Sequence, residues 1–468
     1  MSLLSTGRET ATHPNILLIV MDATRARNLS CYGYHRSTTP NLERFAERCV
    51  VYEQTISAGC WSLPGHASIF TGLYPSTHGA SDQHQFLVPE HPTMAELLRA
   101  YGYRTVALCE KRDVGPFTGL DRGFEWFNPG NASRPVGRIM RRVDNGIARV
   151  LGLHDRGARQ TNRRICSLLP QLRADEQPFF MFVSYVESHI PYRPPRAYNC
   201  YLPDGVSPAQ VRQVNQDRWK YMSDRTSMDE QDFEILTALY DGGIAYADAR
   251  VAQVLGWLEE LNLLDQTMVI ITADHGENLG EHQLMAHGYC LYDTVIHVPL
   301  IVHYPKGVAS PGRVARQIQT VDVLPTILAM LGDTSSETYR SLQGDDLLSS
   351  SKRDFTIAEQ SHPDMTTFHK RFPDADVSKY GRALRMIRTD RYKYIWASDG
   401  SHELYDRQMD PDEKCNIIAE HPAIAEDLEQ RLTEWRSGFE RARNSCESSS
   451  QVREATKVRL GQFSIHQA

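Results

Sequence analysis

Four residues of this chain combine types and positions that suit a divalent cation and a tetrahedral anion. Asp22 ends the apolar run Asn15–Met21, and Asp274 and His275 lie just past the apolar run Thr267–Thr272. Ligands of open α/β sheets bind beyond the carboxyl ends of the strands, so a carboxylate at one strand end and an Asp-His pair at another can converge on one cation. Oxygen ligands suit magnesium, calcium or manganese, and the imidazole admits manganese or zinc. Read alone, each aspartate is an ordinary helix N-cap. The segment Cys60-Trp-Ser-Leu-Pro-Gly-His-Ala-Ser-Ile-Phe-Thr-Gly72 shifts that balance. Its Pro64 and Gly65 set Ser62 just ahead of a helix that continues through Ala67, Ile69 and Phe70. A helix N-terminus offers unpaired backbone N–H groups and a partial positive charge to sulfate or phosphate, and a hydroxyl held there can attack the anion's central atom.

These residues need strands and helices to carry them. Asn15–Met21 is a continuous, β-branched apolar run, the pattern of a strand buried on both faces. Pro40 and the spacing of Leu42, Phe45, Ala46 and Cys49 predict a helix opening at Thr39. Strands are expected from Val50 to Thr55, Arg104 to Cys109, Pro178 to Tyr185 and Thr267 to Thr272, and helices over Thr93 to Tyr101 and Ile235 to Leu261. Alternating strands and helices predict an α/β sheet covered on both faces. Past residue 375 a hairpin around Thr389-Asp390, a strand at His402–Tyr405 and a helix from Ala423 predict a small antiparallel sheet with a helix. The expected division is a catalytic domain over 14–375, with insertions at about 112–176 and 193–232, a smaller unit over 376–445 and a loose tail over 446–468. Within the first insertion, Ile139, Val143, Ile147 and Val150 form an apolar stripe. The arginines around it read as a solvated helix face, or as a lid over an anionic substrate.

Composition sets outer bounds. The chain has 468 residues, 41% hydrophobic and 23% charged, the balance of a globular protein rather than a disordered one. Its longest apolar run is too short to span a bilayer. The net charge of −7 has no polycationic character, so nucleic acid is not expected as a partner. Nine scattered cysteines without CxxC spacing read as reduced thiols. With a start that does not look like a secretory signal, they lead to the expectation of a cytoplasmic protein.

The order of motifs resembles the sulfatase family of the alkaline-phosphatase superfamily over about residues 14–435. In sequence these are ILLIVMDATR, Thr-Pro-Asn-Leu, the nucleophile segment closing in TGLYPSTHG, ESHIPY, YDGGIAYAD, VIITADHGENLGEH, VDVLPTIL and RTDRYKYI…ELYD. The resemblance implies an alkaline-phosphatase-like sandwich: a large mixed, mostly parallel sheet with helices on both faces, plus the small C-terminal antiparallel sheet. Aligned on Thr71-Gly72, the family's Cys-x-Pro-Ser-Arg signature falls on Ser62-Leu-Pro-Gly-His66. Ser62 then stands where the family carries the residue oxidised to formylglycine, and Cys60, two residues out of register, reads as structural. His66 replaces the arginine of that maturation signature, so plain serine and formylglycine both stay open at residue 62.

The other positions transfer singly. The resemblance implies a metal site of Asp22, Ser62, Asp274 and His275, in which Ala23 replaces a second aspartate and His275 stands where many relatives carry asparagine. It implies that His189 contacts the ester oxygens and that His287, in place of a lysine, protonates the leaving group. His66 joins them as a catalytic candidate. The family's other lysine has no exact counterpart, Lys111 lying one position off. The expected protein is a metal-dependent hydrolase of a sulfate ester, with one divalent cation and a small anionic ester as ligand, and with a homo-oligomer left open. The alternatives are a phosphodiesterase, phosphonate monoester hydrolase or phosphotransferase with unmodified Ser62, and an inert anion-binding relative.

Overall fold

The first strand, β1 (Asn15–Met21), is buried along nearly its whole length. Its side chains divide by parity, Leu17, Ile19 and Met21 entering one apolar core and Ile16, Leu18 and Val20 another. Period-2 alternation of an all-apolar strand therefore means two covered faces, with no solvated one. The structure is a computed structural model and describes residues 13–111, 113–128, 155–175 and 177–447.

In chain order the strands are β1, β2 (Val50–Ile56), β3 (Arg104–Cys109), β4 (Trp126–Asn128), β5 (Phe179–Tyr185), β6 (Thr267–Thr272), β7 (Asn278–Leu279), β8 (Met285–Ala286), β9 (His297–His303), β10 (Gly312–Gln319), β11 (Thr356–Gln360), β12 (Leu384–Arg388), β13 (Tyr392–Ala397) and β14 (Glu403–Asp406). The main sheet has eight strands in the order β10-β2-β9-β6-β1-β5-β3-β4. Only β9 runs antiparallel to its neighbours. The helices that matter for the site are α1 (Pro40–Ala46), α2 (Ser62–Thr71), α3 (Ala158–Ala174), α4 (Glu230–Glu260) and α5 (Pro422–Glu447). The mixed, mostly parallel sheet agrees with the expectation from the sequence.

The second sheet, β11-β12-β13-β14, is antiparallel. It begins upstream of residue 376, because its edge strand is the short, fully buried run Thr356–Gln360. A five-residue segment after a polar loop carries too little periodicity to be read as a strand by itself. A buried cation ties this sheet to the main one: Arg388 of β12 donates to Gln317 Oε1 of β10 and to Gln54 Oε1 of β2, each at 2.6 Å. The apolar stripe at 139–150 and the tail beyond 447 lie outside the described residues. Helix α5 runs to Glu447, past the expected boundary at 445. Among the described residues no helix is long and apolar enough to cross a membrane.

Candidate functional site

The register of two neighbouring strands builds the floor of the site. Val20 of β1 pairs with Thr272 of β6, so Asp22 and Asp274, each two residues further on, come abreast at the carboxyl end of the sheet. Asp22 N donates to Tyr185 O at the end of β5. Ala23 has φ +60°, a left-handed conformation that costs a residue with a Cβ. That turn lets Ala23 N donate to Asp274 Oδ1 at 3.2 Å, while His275 N donates to the same oxygen at 3.0 Å.

Helix α2 descends onto this floor by its N-terminus. All ten of its residues are buried, and it starts without a side-chain cap, so its first N–H groups face the site unpaired by side chains. Close approach requires glycine at position 65, where an added Cβ would sit 2.6 Å from Asp274 O. The result is Ser62 Oγ 3.1 Å from His275 Nε2. His275 Nδ1 donates to Gly276 O at 2.7 Å, which turns Nε2 toward Ser62 and the aspartates, the edge through which an imidazole binds a metal.

Ligand atoms of Asp22, Asp274 and His275 lie within 4.8 Å of one another, and all three residues are fully buried. Both carboxylate oxygens of Asp22 and Oδ2 of Asp274 have no donor in hydrogen-bond geometry. Burial and the neighbouring Asp274 push the Asp22 carboxyl up, whereas His275 and His66 hold Asp274 well below the usual range against its own burial. Two buried carboxylates this close keep both charges only with positive charge between them. Their oxygens and the imidazole nitrogen form a donor set that fits a divalent cation.

The remaining candidates fall around this point. His66 is fully buried, and its Nδ1 lies 2.8 Å from Ser62 O and 3.0 Å from Asp274 Oδ2. Its ring packs edge-on against Phe70 and Phe182. His66 Nδ1 thus lies against both the Ser62 backbone and the Asp274 carboxylate. His189 turns Nδ1 to Ile190 O at 2.6 Å, and its ring lies 4.9 Å from that of His287, which in turn lies 4.1 Å from that of His275. Burial, with Lys111 and Arg156 nearby, lowers the pKa of His189; burial, with His275, His189 and Arg218 nearby, lowers that of His287. Cys60 lies apart, its thiol 3.2 Å from Gln360 Oε1.

Lys111 corrects the sequence reading. Although one position off the family register, its Nζ lies 2.6 Å from Asp22 Oδ2 inside the site. β3 ends at Cys109, and a loop just beyond a strand absorbs a one-residue offset without moving the strand. The rule that strand ends carry ligands pointed to this lysine more directly than motif alignment did. No motif in the sequence singles out Glu277, whose Oε1 lies 2.7 Å from His287 Nδ1.

The chain resembles known proteins over most of its length. Residues 14–333 match the family model described as Sulfatase, and residues 280–438 match that described as N-sulphoglucosamine sulphohydrolase, C-terminal. The chain is 26% identical to the multifunctional alkaline phosphatase superfamily protein PehA of Trinickia caryophylli, over 91% of this chain and 95% of that one. It is 24% identical to arylsulfatase K of Bos taurus, over 90% of this chain and 81% of that one. The crystal structure of the phosphonate monoester hydrolase of Agrobacterium radiobacter superposes with a TM-score of 0.73 at 20% identity, over 91% of this chain and 96% of that one, and so shares the fold.

Proposed function

The chain belongs to the sulfatase family, and on that premise we propose that it is a metal-dependent hydrolase that cleaves a sulfate ester by attack of residue 62 on the central atom of the anion. One observation carries this reading: the Ser62 hydroxyl, Nε2 of His275 and two fully buried carboxylates meet at one point beneath a helix N-terminus. Asp22, Asp274 and His275 would hold a single calcium, manganese or magnesium ion, with zinc admitted by the imidazole and Ser62 as a near ligand. Such a cation offsets the charge of the anion and lowers the pKa of the hydroxyl.

The chain's own groups do the rest. The Ser62 oxygen, its proton given up to water, forms a bond to the central atom as the bond from that atom to the ester oxygen breaks, and the departing oxygen takes the electron pair; water then displaces residue 62 from the central atom and frees the anion. His287 delivers its Nε2 proton to that oxygen. His189 and Lys111 hold the non-bridging oxygens, and His66 keeps Ser62 and Asp274 in place. The relative named arylsulfatase K supports a sulfate ester, and the free cysteines among the described residues suit a cytoplasmic enzyme.

One observation favours a second reading. His66 fills the place of the maturation arginine with an imidazole bonded to Ser62 O, which suits an unmodified serine acting on phosphodiesters or phosphonate monoesters. The mass of the peptide over residues 57–80 separates serine from its two-hydrogen-lighter formylglycine form. Formylglycine with preferred turnover of aryl sulfate supports the first reading. Plain serine with preferred turnover of a phosphodiester or phosphonate monoester replaces it with the second. Absence of turnover on all three with metal loaded would leave an inert anion-binding protein.

A further inference from the structure

Glu277 is fully buried at the turn that follows His275-Gly276. Its backbone is held on both sides: its N–H donates to Thr294 O at 3.0 Å, and its carbonyl accepts from Arg25 Nη1 at 3.1 Å. The two-stranded hairpin β7-β8 begins at the next residue. In that hairpin Asn278 pairs with Ala286, and Asn278 Nδ2 also donates to Ala286 O at 2.9 Å. Glu277 and His287 are the next residues outward from that pair, so closing the hairpin brings them together. Glu277 Oε1 lies 2.7 Å from His287 Nδ1. The other carboxylate oxygen, Oε2, accepts from Ile190 N at 3.4 Å, the residue directly after His189. One side chain thus touches the ring of one site histidine and the backbone beside another.

We infer that Glu277 is a positioning residue: it occupies the Nδ1 edge of His287 so that Nε2 faces the ester oxygen, and it ties the His189 loop to the same frame. This rests on the proposed role of His287 as proton donor. A buried imidazole with both edges unheld can rotate or change tautomer, and a carboxylate on one edge removes that freedom. As the bond to the ester oxygen breaks, the Nε2 proton moves to that oxygen and its electron pair stays on Nε2, while the proton shared between Glu277 Oε1 and His287 Nδ1 settles on Nδ1, so that the ring is left neutral beside a carboxylate. The carboxylate stabilises the ring in the orientation that makes this transfer direct.

The test is a double-mutant cycle on the metal-loaded full chain: wild type, Glu277→Gln, His287→Ala and the double variant. Each is assayed for kcat/KM on a 4-nitrophenyl ester and an alkyl ester of the anion that the enzyme turns over. Glu277→Gln is expected to slow the alkyl ester at least about tenfold more than the activated one. The double variant should match His287→Ala within about threefold, since both substitutions remove one device. Equal slowing of both esters by Glu277→Gln, or a double variant slowed by the product of the two single effects, overturns the inference while the His287 reading stands. A His287→Ala variant that treats both esters alike overturns both. If Glu277→Gln does not fold, histidine ¹⁵N resonances of the wild type decide: a hydrogen-bonded Nδ1 on His287 is expected, and an unbonded Nδ1 refutes the role.

Discussion

The ammonium of Lys111 lies 2.6 Å from Asp22 Oδ2, inside a site whose other carboxylate, Asp274, pairs with imidazoles. Burial opposes the charge on Lys111, but Asp22 and Asp274 overcome it and raise its pKa. It is a fixed cation reaching the metal-ligand cluster from the end of β3, next to where the anion would sit. Lys111→Ala should lower kcat/KM about a hundredfold, the scale of losing one preorganised donor to a developing oxyanion. Metal content should stay at the wild-type level. Loss of the metal together with activity would make Lys111 a counter-ion of the ligand set instead.

Ser62→Ala is expected to remove nearly all turnover, by about a thousandfold or more, while leaving thermal unfolding close to wild type. Among residues 60–66 no second hydroxyl is available to replace it. Cys60→Ala should keep turnover near wild type, because that thiol faces Gln360. A dead Cys60→Ala variant with an intact fold would reassign the nucleophile.

Elemental analysis should find one divalent cation per chain in the wild type and much less in Asp274→Asn and Asp22→Asn. Chelation should abolish turnover, and readdition should restore it. Each substitution removes one of two carboxylates that share a single buried point, and neutralising either weakens the electrostatic hold on the ion. Equal metal in all three proteins would move the cation elsewhere.

His78, in the turn after α2, is a buried histidine with no role in the chemistry. Its Nδ1 accepts from Ala80 N at 3.1 Å, and its Nε2 lies 3.1 Å from Ser68 Oγ. Burial pushes its pKa down to about 3, so the ring is neutral when folded and becomes protonated on unfolding below about pH 6.5. The stability it contributes is complete above that pH and is lost as pH falls toward the folded value. Between about pH 6 and 4, wild type should lose about 1.4 kcal/mol per pH unit more than His78→Gln. Parallel stability–pH curves for the two proteins would contradict a neutral His78.

Much of the protein was legible from local pattern. Asn15–Met21 and Thr267–Thr272 announced buried strands because apolar β-branched runs of that length have few other uses, and the polar residues just beyond them marked the site. Ser62 followed from the same logic, a hydroxyl where Pro64 and Gly65 open a helix. Tertiary structure decided what lies between distant segments. The parallel register of Val20 with Thr272 sets Asp22 beside Asp274, and no property of either strand alone fixes that register. Lys111 entered the site because a loop, which no periodicity governs, turns it inward. Glu277 met His287 because β7 and β8 pair, although neither is longer than two residues. His66 came to lie against Asp274 because α2 packs so closely that only glycine fits at position 65. Residue types and strand ends are local properties carried by the chain, whereas register, loop direction and close approach depend on contacts between distant segments, as between Ala23 and Asp274, 251 residues apart.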